Sequence, residues 1–368
     1  MKILLLSCAN SIHTKRWAIS LAQRNIEICL FSLEKNNDTE YGNFSNITVI
    51  TGGFRNNSSK DGEMSKLTLI QYLPKLLKVI RNFKPDIVHA HYATSYGLLG
   101  ALCGFKPFVL SVWGSDVYDF PKVSFIHKLM IQFNLHRADK ILSTSHVMAS
   151  ETKKYTNKEI HVTPFGIDLL KFKKMKVDSV FSPETIVVGT VKTLSSKYGI
   201  DYLIKAFKIV KENNPDLPLK LMLLGDGEDK VKLMKLCTDL QISDDVVFMG
   251  NIANDLVPNY LNMMDVYVAL STLDSESFGV AIVEASACEK PVVVSNVGGL
   301  PEVVAKNKTG FIVESKNPEE AANAIEKLIL DKDLRFSMGK EGRERVKKLY
   351  NWDENVSLVF SIYKGVLK

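Results

Sequence analysis

Short apolar runs alternate with amphipathic stretches along almost the whole chain of 368 residues, and this alternation limits the folds that the chain can adopt. A strand followed by a helix, many times over, predicts parallel sheets with helices on both faces, which is a doubly wound α/β fold. Strands are predicted at residues 2–8, 26–33, 47–50, 86–90, 107–112, 140–143 and 160–163, and then at 185–191, 219–224, 246–249, 265–270, 291–295 and 310–313. Helices are predicted at 14–24, 65–83, 95–103, 122–137 and 146–155, and then at 199–212, 228–240, 255–264, 278–288, 301–305, 318–330, 333–349 and 353–367.

An irregular, lysine-rich segment separates the two series. Pro164-Phe165-Gly166-Ile167-Asp168 is followed by a run without strong periodicity that ends near Ser182-Pro183. The chain is long enough for two domains of ordinary size. We therefore predict a first domain at 1–164, a linker at 165–182 and a second domain at 183–351. Ligands of such folds bind at the carboxyl ends of the strands, so a cleft is expected where the two sheets present those ends.

Charge, cysteine usage and hydropathy narrow the class of protein. A net charge of +6 fits an anionic small-molecule ligand or an acidic membrane surface, and it is too small to argue for nucleic acid. The five cysteines are scattered and no two form a CxxC, which is typical of a reduced, cytoplasmic protein. No apolar run reaches the length of a membrane span. No His/Cys cluster has the spacing of metal ligands, so no metal is expected.

The stretch at 274–287 of the second half places two carboxylates at the start of a predicted helix. Glu276 lies at the mouth of the helix and Glu284 about two turns into it, so roughly 12 Å of helix separates them. This is too far for one acid/base pair, but it suits a ligand lying along the helix start. A helix N-terminus attracts phosphate, and carboxylates accept hydrogen bonds from hydroxyls, so a nucleoside diphosphate sugar fits. An ordinary loop acid and a surface glutamate fit equally well.

Basic and glycine-containing turns follow other strands of the second half. Lys192 and Lys197 could hold a diphosphate and stabilise it as it leaves, although lysine is common in surface loops. Gly225-Asp226-Gly227 permits a tight turn and close approach of a ligand. Exposed backbone at Gly250 could meet the edge of a nucleobase. Paired glycines at 295–302 have a structural role by default.

The first half carries weaker signals. The turn after the first strand lacks the GxGxxG of dinucleotide-binding proteins, which argues against a dehydrogenase. His91 lies at the carboxyl end of a predicted strand, whereas His89 is more typical of a core residue. Asp116, in Trp113-Gly114-Ser115-Asp116, is a plausible cleft carboxylate. Each of these residues could equally be structural.

Together these residues resemble the family 4 retaining glycosyltransferases of the GT-B fold. The resemblance is carried by Glu276, Phe278-Gly279 and Glu284, by the two lysines and the glycine turn upstream, and by 164–168. It implies two doubly wound Rossmann-like domains that face a central cleft. The first would bind the acceptor and the second the nucleotide-sugar donor, and a last helix at about 352–368 would return to the first domain.

The resemblance also implies roles for single residues. Glu276 would contact hydroxyls of the donor sugar, and Glu284 would bind the ribose. Lys192 and Lys197 would hold the diphosphate. Backbone amides of Phe278 and Gly279 would contact the sugar and the diphosphate. The full predicted site has Glu276, Lys197, Lys192 and Asp116 as catalytic residues, and Phe278, Gly279, Glu284, Ser277, Gly250, Asn10 and His13 as donor-binding residues.

Three positions depart from the family pattern. Lys192 replaces the usual arginine and loses its bidentate fork. Trp113 stands where many members have a histidine that touches the donor sugar, so Asp116 or His91 could carry part of that role. Residues 10–13 replace the glycine pair that usually follows the first strand.

The predicted function is retaining transfer of a hexose-type sugar without a metal or other cofactor. The donor would be a nucleotide sugar, UDP-linked rather than GDP-linked, and the acceptor a hydroxyl of a saccharide or a lipid-linked saccharide in surface-polysaccharide synthesis. Two alternatives stay open: a nucleotide-sugar epimerase of the same fold, and a non-catalytic paralogue that binds a nucleotide sugar or a partner. The basic helix at 65–84 and the basic linker could dock on the cytoplasmic face of an anionic membrane, or they could be solvated basic surfaces.

Overall fold

The structure, a computed structural model, describes residues 1–54 and 66–368, with backbone alone at residues 54, 66 and 67. The chain divides into two compact units. The first comprises Met1–Pro164 together with Asn355–Lys368, and the second comprises Phe165–Glu354. The assignment of one unit to the acceptor and the other to the donor stays a prediction.

The first unit is built on a seven-stranded sheet. Its strands are β1 (Lys2–Leu6), β2 (Glu27–Glu34), β3 (Ile47–Phe54), β4 (Ile87–His91), β5 (Phe108–Val112), β6 (Lys140–Ser143) and β7 (Ile160–Val162). Its helices are α1 (Ile12–Ala22), α2 (Leu73–Phe83), α3 (Ser95–Leu102), α4 (Ser115–Tyr118), α5 (Phe120–Val123), α6 (Phe125–Arg137) and α7 (His146–Thr152). The strands are parallel in the order β3-β2-β1-β4-β5-β6-β7. Every residue of β4 and β5 is buried, as expected where helices cover both faces of a parallel sheet.

The second unit repeats this plan with six strands. They are β8 (Ile186–Val191), β9 (Leu219–Leu224), β10 (Val246–Gly250), β11 (Val266–Ala269), β12 (Val292–Ser295) and β13 (Gly310–Val313). The helices are α8 (Ile200–Asn213), α9 (Lys230–Asp239), α10 (Val257–Met263), α11 (Val280–Ala287), α12 (Leu300–Val303), α13 (Pro318–Leu330) and α14 (Lys332–Leu349). The parallel order is β10-β9-β8-β11-β12-β13. The predicted doubly wound α/β class is therefore confirmed in each unit.

Each sheet has one point where the strand order reverses. In the first unit the reversal lies between β1 and β4, and in the second it lies between β8 and β11. The loops that leave neighbouring strands there depart to opposite faces, which opens a crevice at the carboxyl ends of the strands. The loops after these four strands are therefore the positions where the fold favours a ligand.

Two predicted helices were wrong in part. At 65–83 the described chain begins with a 3₁₀ turn, Lys66–Tyr72, and α2 starts only at Leu73, while Ser65 lies outside the described residues. Pro74 accounts for this start, because proline suits the first turn of a helix and has no N–H with which to continue an α-helix from the preceding turn. The helix at 122–137 is interrupted, because Ser124 is extended (φ −163°, ψ 167°) between α5 and α6.

The last helix, α15 (Trp352–Val366), belongs to the first unit from Asn355 onward. Tyr363 has no exposed area and its hydroxyl lies 2.6 Å from Nδ1 of His89 on β4. The other ring nitrogen of His89 lies 2.8 Å from the Ser111 hydroxyl. Burial lowers the pKa of His89 to about 3, so the ring is a neutral core group. Among the described residues, no helix has the length and apolar character needed to cross a membrane.

Candidate active site

Lys192 and Glu276 form an ion pair at the reversal point of the second sheet. Lys192 directly follows β8, and Glu276 lies in the loop between β11 and α11. Nζ of Lys192 is 3.0 Å from Oε2 of Glu276, and the two side chains are only 12% and 15% exposed. Limited exposure reduces screening by solvent and salt. The structure thus brings two of the predicted catalytic residues into direct contact.

Lys197 is linked to Lys192 through the ring of Tyr198. The ammonium groups of Lys192 and Lys197 lie 4.6 and 4.7 Å from the centre of that ring, so both cations contact the same aromatic side chain. The backbone N–H of Thr272 donates to the carbonyl of Lys197 at 2.8 Å, which ties the lysine loop to the loop after β11. Tyr198 and Thr272 were not predicted as site residues, because neither belongs to a recognisable motif.

Gly298 and Gly299, between β12 and α12, support the backbone of Glu276 from behind. Gly299 N–H donates to the carbonyl of Glu276 at 2.9 Å, and Gly298 N–H donates to Asp274 Oδ1 at 3.1 Å. A Cβ on Gly298 would lie 2.3 Å from the Glu276 carbonyl oxygen, and its φ of +49° disfavours side chains as well. The paired glycines therefore have the structural role expected by default, and what they position is the loop that carries Glu276.

A second glycine turn supports the loop of Lys192. Lys192 N–H donates to the carbonyl of Leu224 at 2.9 Å, and a Cβ on Gly225 would meet the Lys192 carbonyl oxygen at 2.0 Å. Gly225 N–H in turn donates to the carbonyl of Gly250 at 2.9 Å. One lone pair of that carbonyl is thus engaged within the protein. Contact of Gly250 with a nucleobase stays a prediction.

The helix after Glu276 starts two residues later than predicted, at Val280. Its N-cap is Gly279 in the left-handed region (φ 87°), which turns the chain into the helix. The Phe278 ring is 3% exposed and packs edge-on against Phe165 and Tyr350, at 6.0 and 5.5 Å between ring centres. The ring therefore anchors the loop in the core. The backbone of 278–279 and the first N–H groups of α11 are the groups that could meet a ligand.

Glu276 and Glu284 both act electrostatically on a buried phenol of β11. Tyr267, on β11, has no exposed area, and burial raises its pKa. Hydrogen bonds with Thr190 and Val191 oppose that rise in pKa, and the charges of Glu284 and Glu276 add to it. Contact of Glu284 with the ribose of a donor stays a prediction.

In the first unit, three rings meet at the reversal point between β1 and β4. The centre of the Trp113 ring lies 4.5 Å from that of His91 and 6.0 Å from that of His13. Burial, followed by the charge of Arg16, lowers the pKa of His13 to about 4. Burial, followed by neighbouring histidines, holds the pKa of His91 well below its ordinary value. Nδ1 of His91 has no hydrogen-bond partner within the described part of the chain.

Asp116 is fully buried and its carboxylate is engaged with backbone. It accepts hydrogen bonds from the N–H groups of Ala93 at 2.7 Å, Gly114 at 2.7 Å and Trp113 at 3.1 Å. Burial raises its pKa, and the three hydrogen bonds oppose that rise. These contacts fix the turn that carries Trp113, so the observed geometry makes Asp116 a positioning residue. Direct contact with a substrate stays a prediction.

The side chain of Asn10 is likewise hydrogen-bonded to backbone. Its side-chain N–H donates to the carbonyl of Lys35 at 2.9 Å, and its side-chain oxygen accepts from Asn37 N–H at 3.0 Å. Both bonds join the loop after β1 to the loop after β2. Donor binding by Asn10 therefore remains a prediction that would require these bonds to be shared or exchanged.

A cavity beside Lys197 and the arrangement of acidic, histidine and cysteine side chains bear on what the site could hold. A cavity of about 270 Å³ lies beside Lys197, and its lining also includes Lys232, Lys316, Asp201 and Asp229. Within residues 1–54 and 66–368, no group of three or more His, Cys, Asp and Glu side chains is arranged to hold a metal ion. The charged groups placed at this site are therefore mainly ammonium groups and carboxylates.

Family models match both halves of the chain. The model for glycosyl transferases group 1 matches residues 171–345, and the model for glycosyl transferase 4-like proteins matches residues 2–145. The first contains Lys192, Lys197, Glu276 and Glu284, and the second contains the turn of Trp113. The chain belongs to the group 1, family 4-type glycosyltransferases, as the sequence predicted.

Individual relatives agree in sequence and in fold. The N-acetyl-alpha-D-glucosaminyl L-malate synthase of Bacillus anthracis is 28% identical over 329 residues, which are 83% of each chain. The sucrose-phosphate synthase of Thermosynechococcus elongatus is 20% identical, with a TM-score of 0.80 over 100% of this chain and 99% of its own. The Anabaena protein HepE, solved in complex with UDP, is 19% identical, with a TM-score of 0.80 over 99% of this chain and all of its own. These structures share the GT-B fold with this chain.

Proposed function

We propose that the chain is a retaining hexosyltransferase that uses a nucleoside diphosphate sugar, with UDP favoured over GDP. The observation that carries the proposal is the contact of Lys192 with Glu276 at 3.0 Å, with Lys197 on the shared Tyr198 ring. It combines cations for a diphosphate with a carboxylate for sugar hydroxyls, at the carboxyl ends of β8 and β11 where doubly wound sheets bind ligands. Support for UDP comes from the Anabaena relative, which was solved with UDP and with UDP-glucose.

The proposed step is a same-face substitution at the anomeric carbon. The bond from that carbon to the diphosphate oxygen breaks, and the bond to the acceptor oxygen forms on the same face. The acceptor proton passes to an oxygen of the departing diphosphate. Lys192 and Lys197 stabilise the negative charge that grows on that diphosphate, and Glu276 orients the sugar through its hydroxyls. No metal is required, because the ammonium groups supply the positive charge.

Calorimetry with a panel of UDP- and GDP-sugars tests the donor. We expect at least one UDP-sugar to bind more tightly than its GDP counterpart, and the heat to be unchanged by EDTA. Tighter binding of GDP-sugars would overturn the preference for UDP. Loss of binding in EDTA would overturn the metal-independent mechanism. Absence of binding by every nucleotide sugar would overturn the donor site itself.

The acceptor is proposed to be a hydroxyl of a saccharide or of a lipid-linked saccharide, in synthesis of a surface polysaccharide. All five cysteines are free thiols within the described structure, which supports work in the reducing cytoplasm. Incubation of labelled donor with candidate acceptors should give product whose anomeric configuration, read by NMR, is that of the donor. Conversion of the donor sugar without any acceptor would identify an epimerase instead. Donor binding without turnover on any acceptor would identify a non-catalytic paralogue.

A further inference from the structure

The first unit exposes a group of large apolar side chains on α5 and α6. We define the α6 apolar face as five residues: Val123 (67% exposed), Phe125 (71%), Ile126 (71%), Leu129 (47%) and Phe133 (41%). An exposed large side chain is ordinary when it stands alone, whereas contiguous apolar patches mark interaction surfaces. Five in eleven residues on one corner of the fold form such a patch.

The patch lies on the outer side of a helix whose inner side is already buried against the first unit. Phe125, Leu129 and Phe133 recur every four residues, and so lie on one side of α6. The opposite side buries Ile131 and Leu135. A surface helix ordinarily buries one apolar stripe and presents polar residues to water. α6 is apolar on both sides, so folding of this unit accounts for only one of them.

Local contacts hold the corner between α5 and α6 in place. His127 Nδ1 lies 2.7 Å from the Ser124 hydroxyl, and its ring packs edge-on against Phe120 at 4.6 Å between ring centres. On the inner side, Asn134 donates a side-chain hydrogen bond to the carbonyl of Ala93 at 2.8 Å. The α6 apolar face is thus presented on a fixed support.

The charged side chains within α5 and α6 are all basic, whereas exposed Asp119 and Asp139 flank this segment. Residues 120–138 contain no Asp or Glu, but they contain Lys122, Lys128 and Arg137. Lys122 and Lys128 are exposed at the border of the face. Aromatic and aliphatic side chains bordered by lysines match the boundary between acyl chains and anionic headgroups. A contact with a second copy is the competing explanation, and the oligomeric state tests it below.

We propose that the α6 apolar face is a membrane-docking surface that inserts its side chains into the headgroup boundary of an anionic leaflet. This differs from the sequence-based expectation for the helix at 65–84. In α2, Leu76 and Val79 face the core, and Lys75 and Lys78 could contribute charge to docking. The apolar side chains exposed in this region are Ile70 (42%) and Leu77 (37%), which are fewer and less exposed than those of the α6 apolar face. The proposal does not depend on the identity of the sugar donor or on catalysis.

Co-sedimentation of the full chain with vesicles tests the proposal. We expect binding to phosphatidylcholine vesicles that contain phosphatidylglycerol, and weaker binding to phosphatidylcholine alone. Phe125→Asp with Ile126→Asp should lower the partition coefficient by about tenfold or more, since two large side chains can no longer insert. The matched control is Val231→Asp with Met234→Asp on α9, where both side chains are also exposed, and it should bind like the unchanged chain.

The outcomes separate this surface from its competitors. Equal binding of the α6 variant and the control would overturn the proposal. Loss of binding on charge reversal of Lys75, Lys78 and Arg81, with the α6 variant still bound, would assign docking to α2 instead. A dimer in analytical ultracentrifugation that dissociates in the α6 variant would show that a second copy covers the face. Calorimetric binding of the nucleotide sugar without vesicles should be the same in all variants, so failure of docking is distinguishable from failure of the proposed function.

Discussion

Nζ of Lys192 lies 3.0 Å from Oε2 of Glu276, although 84 residues separate the two in sequence. Each side chain thereby holds the other near the carboxyl ends of β8 and β11. An arriving diphosphate can form an ion pair with the ammonium group, and a sugar hydroxyl can donate a hydrogen bond to the carboxylate. The pair is therefore a preformed arrangement in which neither charge is buried alone.

Lys197→Ala should lower turnover about a hundredfold, since removal of one group that stabilises charge in a transition state typically has an effect of that size. Steady-state rates at saturating donor measure it. Lys208→Ala is the control, because Lys208 is a lysine of α8 whose observed partner is Glu212, one turn along the helix. Near-normal turnover in Lys197→Ala would contradict the assignment of Lys197 to the diphosphate.

Glu276→Gln should abolish most transfer, because an amide is a weaker acceptor for sugar hydroxyls and releases Lys192 from its ion pair. Lys192→Met and Glu276→Gln should also be non-additive in the free energy of unfolding, by about 1 kcal/mol. Urea denaturation of the two single variants and the double variant measures this coupling. Strict additivity would show that the contact contributes nothing to stability, and full activity of Glu276→Gln would make the loop merely structural.

Gly298→Ala should lower both stability and donor affinity. Its Cβ would lie 2.3 Å from the Glu276 carbonyl oxygen at a positive φ, so the loop must move. We expect a loss of about 1–3 kcal/mol in the free energy of unfolding, with a raised KM for the donor. Gly42→Ala is the matched control, since a Cβ there would have no neighbour within 4 Å. Equal effects of the two substitutions would argue against close packing behind Glu276.

Acid should destabilise the chain through buried histidines of the first unit. Burial lowers the pKa of His89 from 6.5 to about 3 and, with Arg16, that of His13 to about 4. A base with a lowered pKa binds fewer protons in the folded state than in the unfolded state. Its contribution to the free energy of unfolding is therefore complete above pH 6.5 and is lost as pH falls toward the folded pKa. Each such group should contribute up to ~1.4 kcal/mol per pH unit within that window.

Unfolding free energies measured between pH 7 and 5 test this slope. His89→Gln should flatten it, even though the substitution also lowers stability at pH 7. His136→Gln, which removes an exposed histidine, is the matched control. A slope that His89→Gln does not change would show that another group governs acid unfolding.

The sequence predicted what depends on local pattern. Alternating strands and helices predict both sheets, because βα repetition admits little other than parallel pairing. The residues around Glu276 and Lys192 resemble a family, and the family models confirm that membership. The boundaries of α2 and α6 were less predictable. Only one residue, Ser124, separates α5 from α6. Before Pro74 the chain forms a 3₁₀ turn, and the spacing of apolar residues does not distinguish such a turn from the first turns of an α-helix.

What could not be predicted depends on contacts between distant segments. The paired glycines after β12 suggest a turn, but only the fold shows that the turn supports Glu276. Asp116 looked like a cleft acid, and its three bonds to backbone become visible only when Ala93 is placed beside it. The outer side of α6 gave no signal in the sequence, because an apolar helix reads as buried until its surroundings are known.

The return of the last helix has a consequence for how the protein is made. Tyr363 completes the core around His89, yet it is translated long after the strands that it packs against. While the second unit is being synthesised, the first unit lacks Tyr363 in its core, and the His89 ring lacks the hydrogen bond to the Tyr363 hydroxyl. The unit made first is thus the last to be finished. Nascent chains halted before residue 355 should show it as sensitive to protease, whereas the released chain should not.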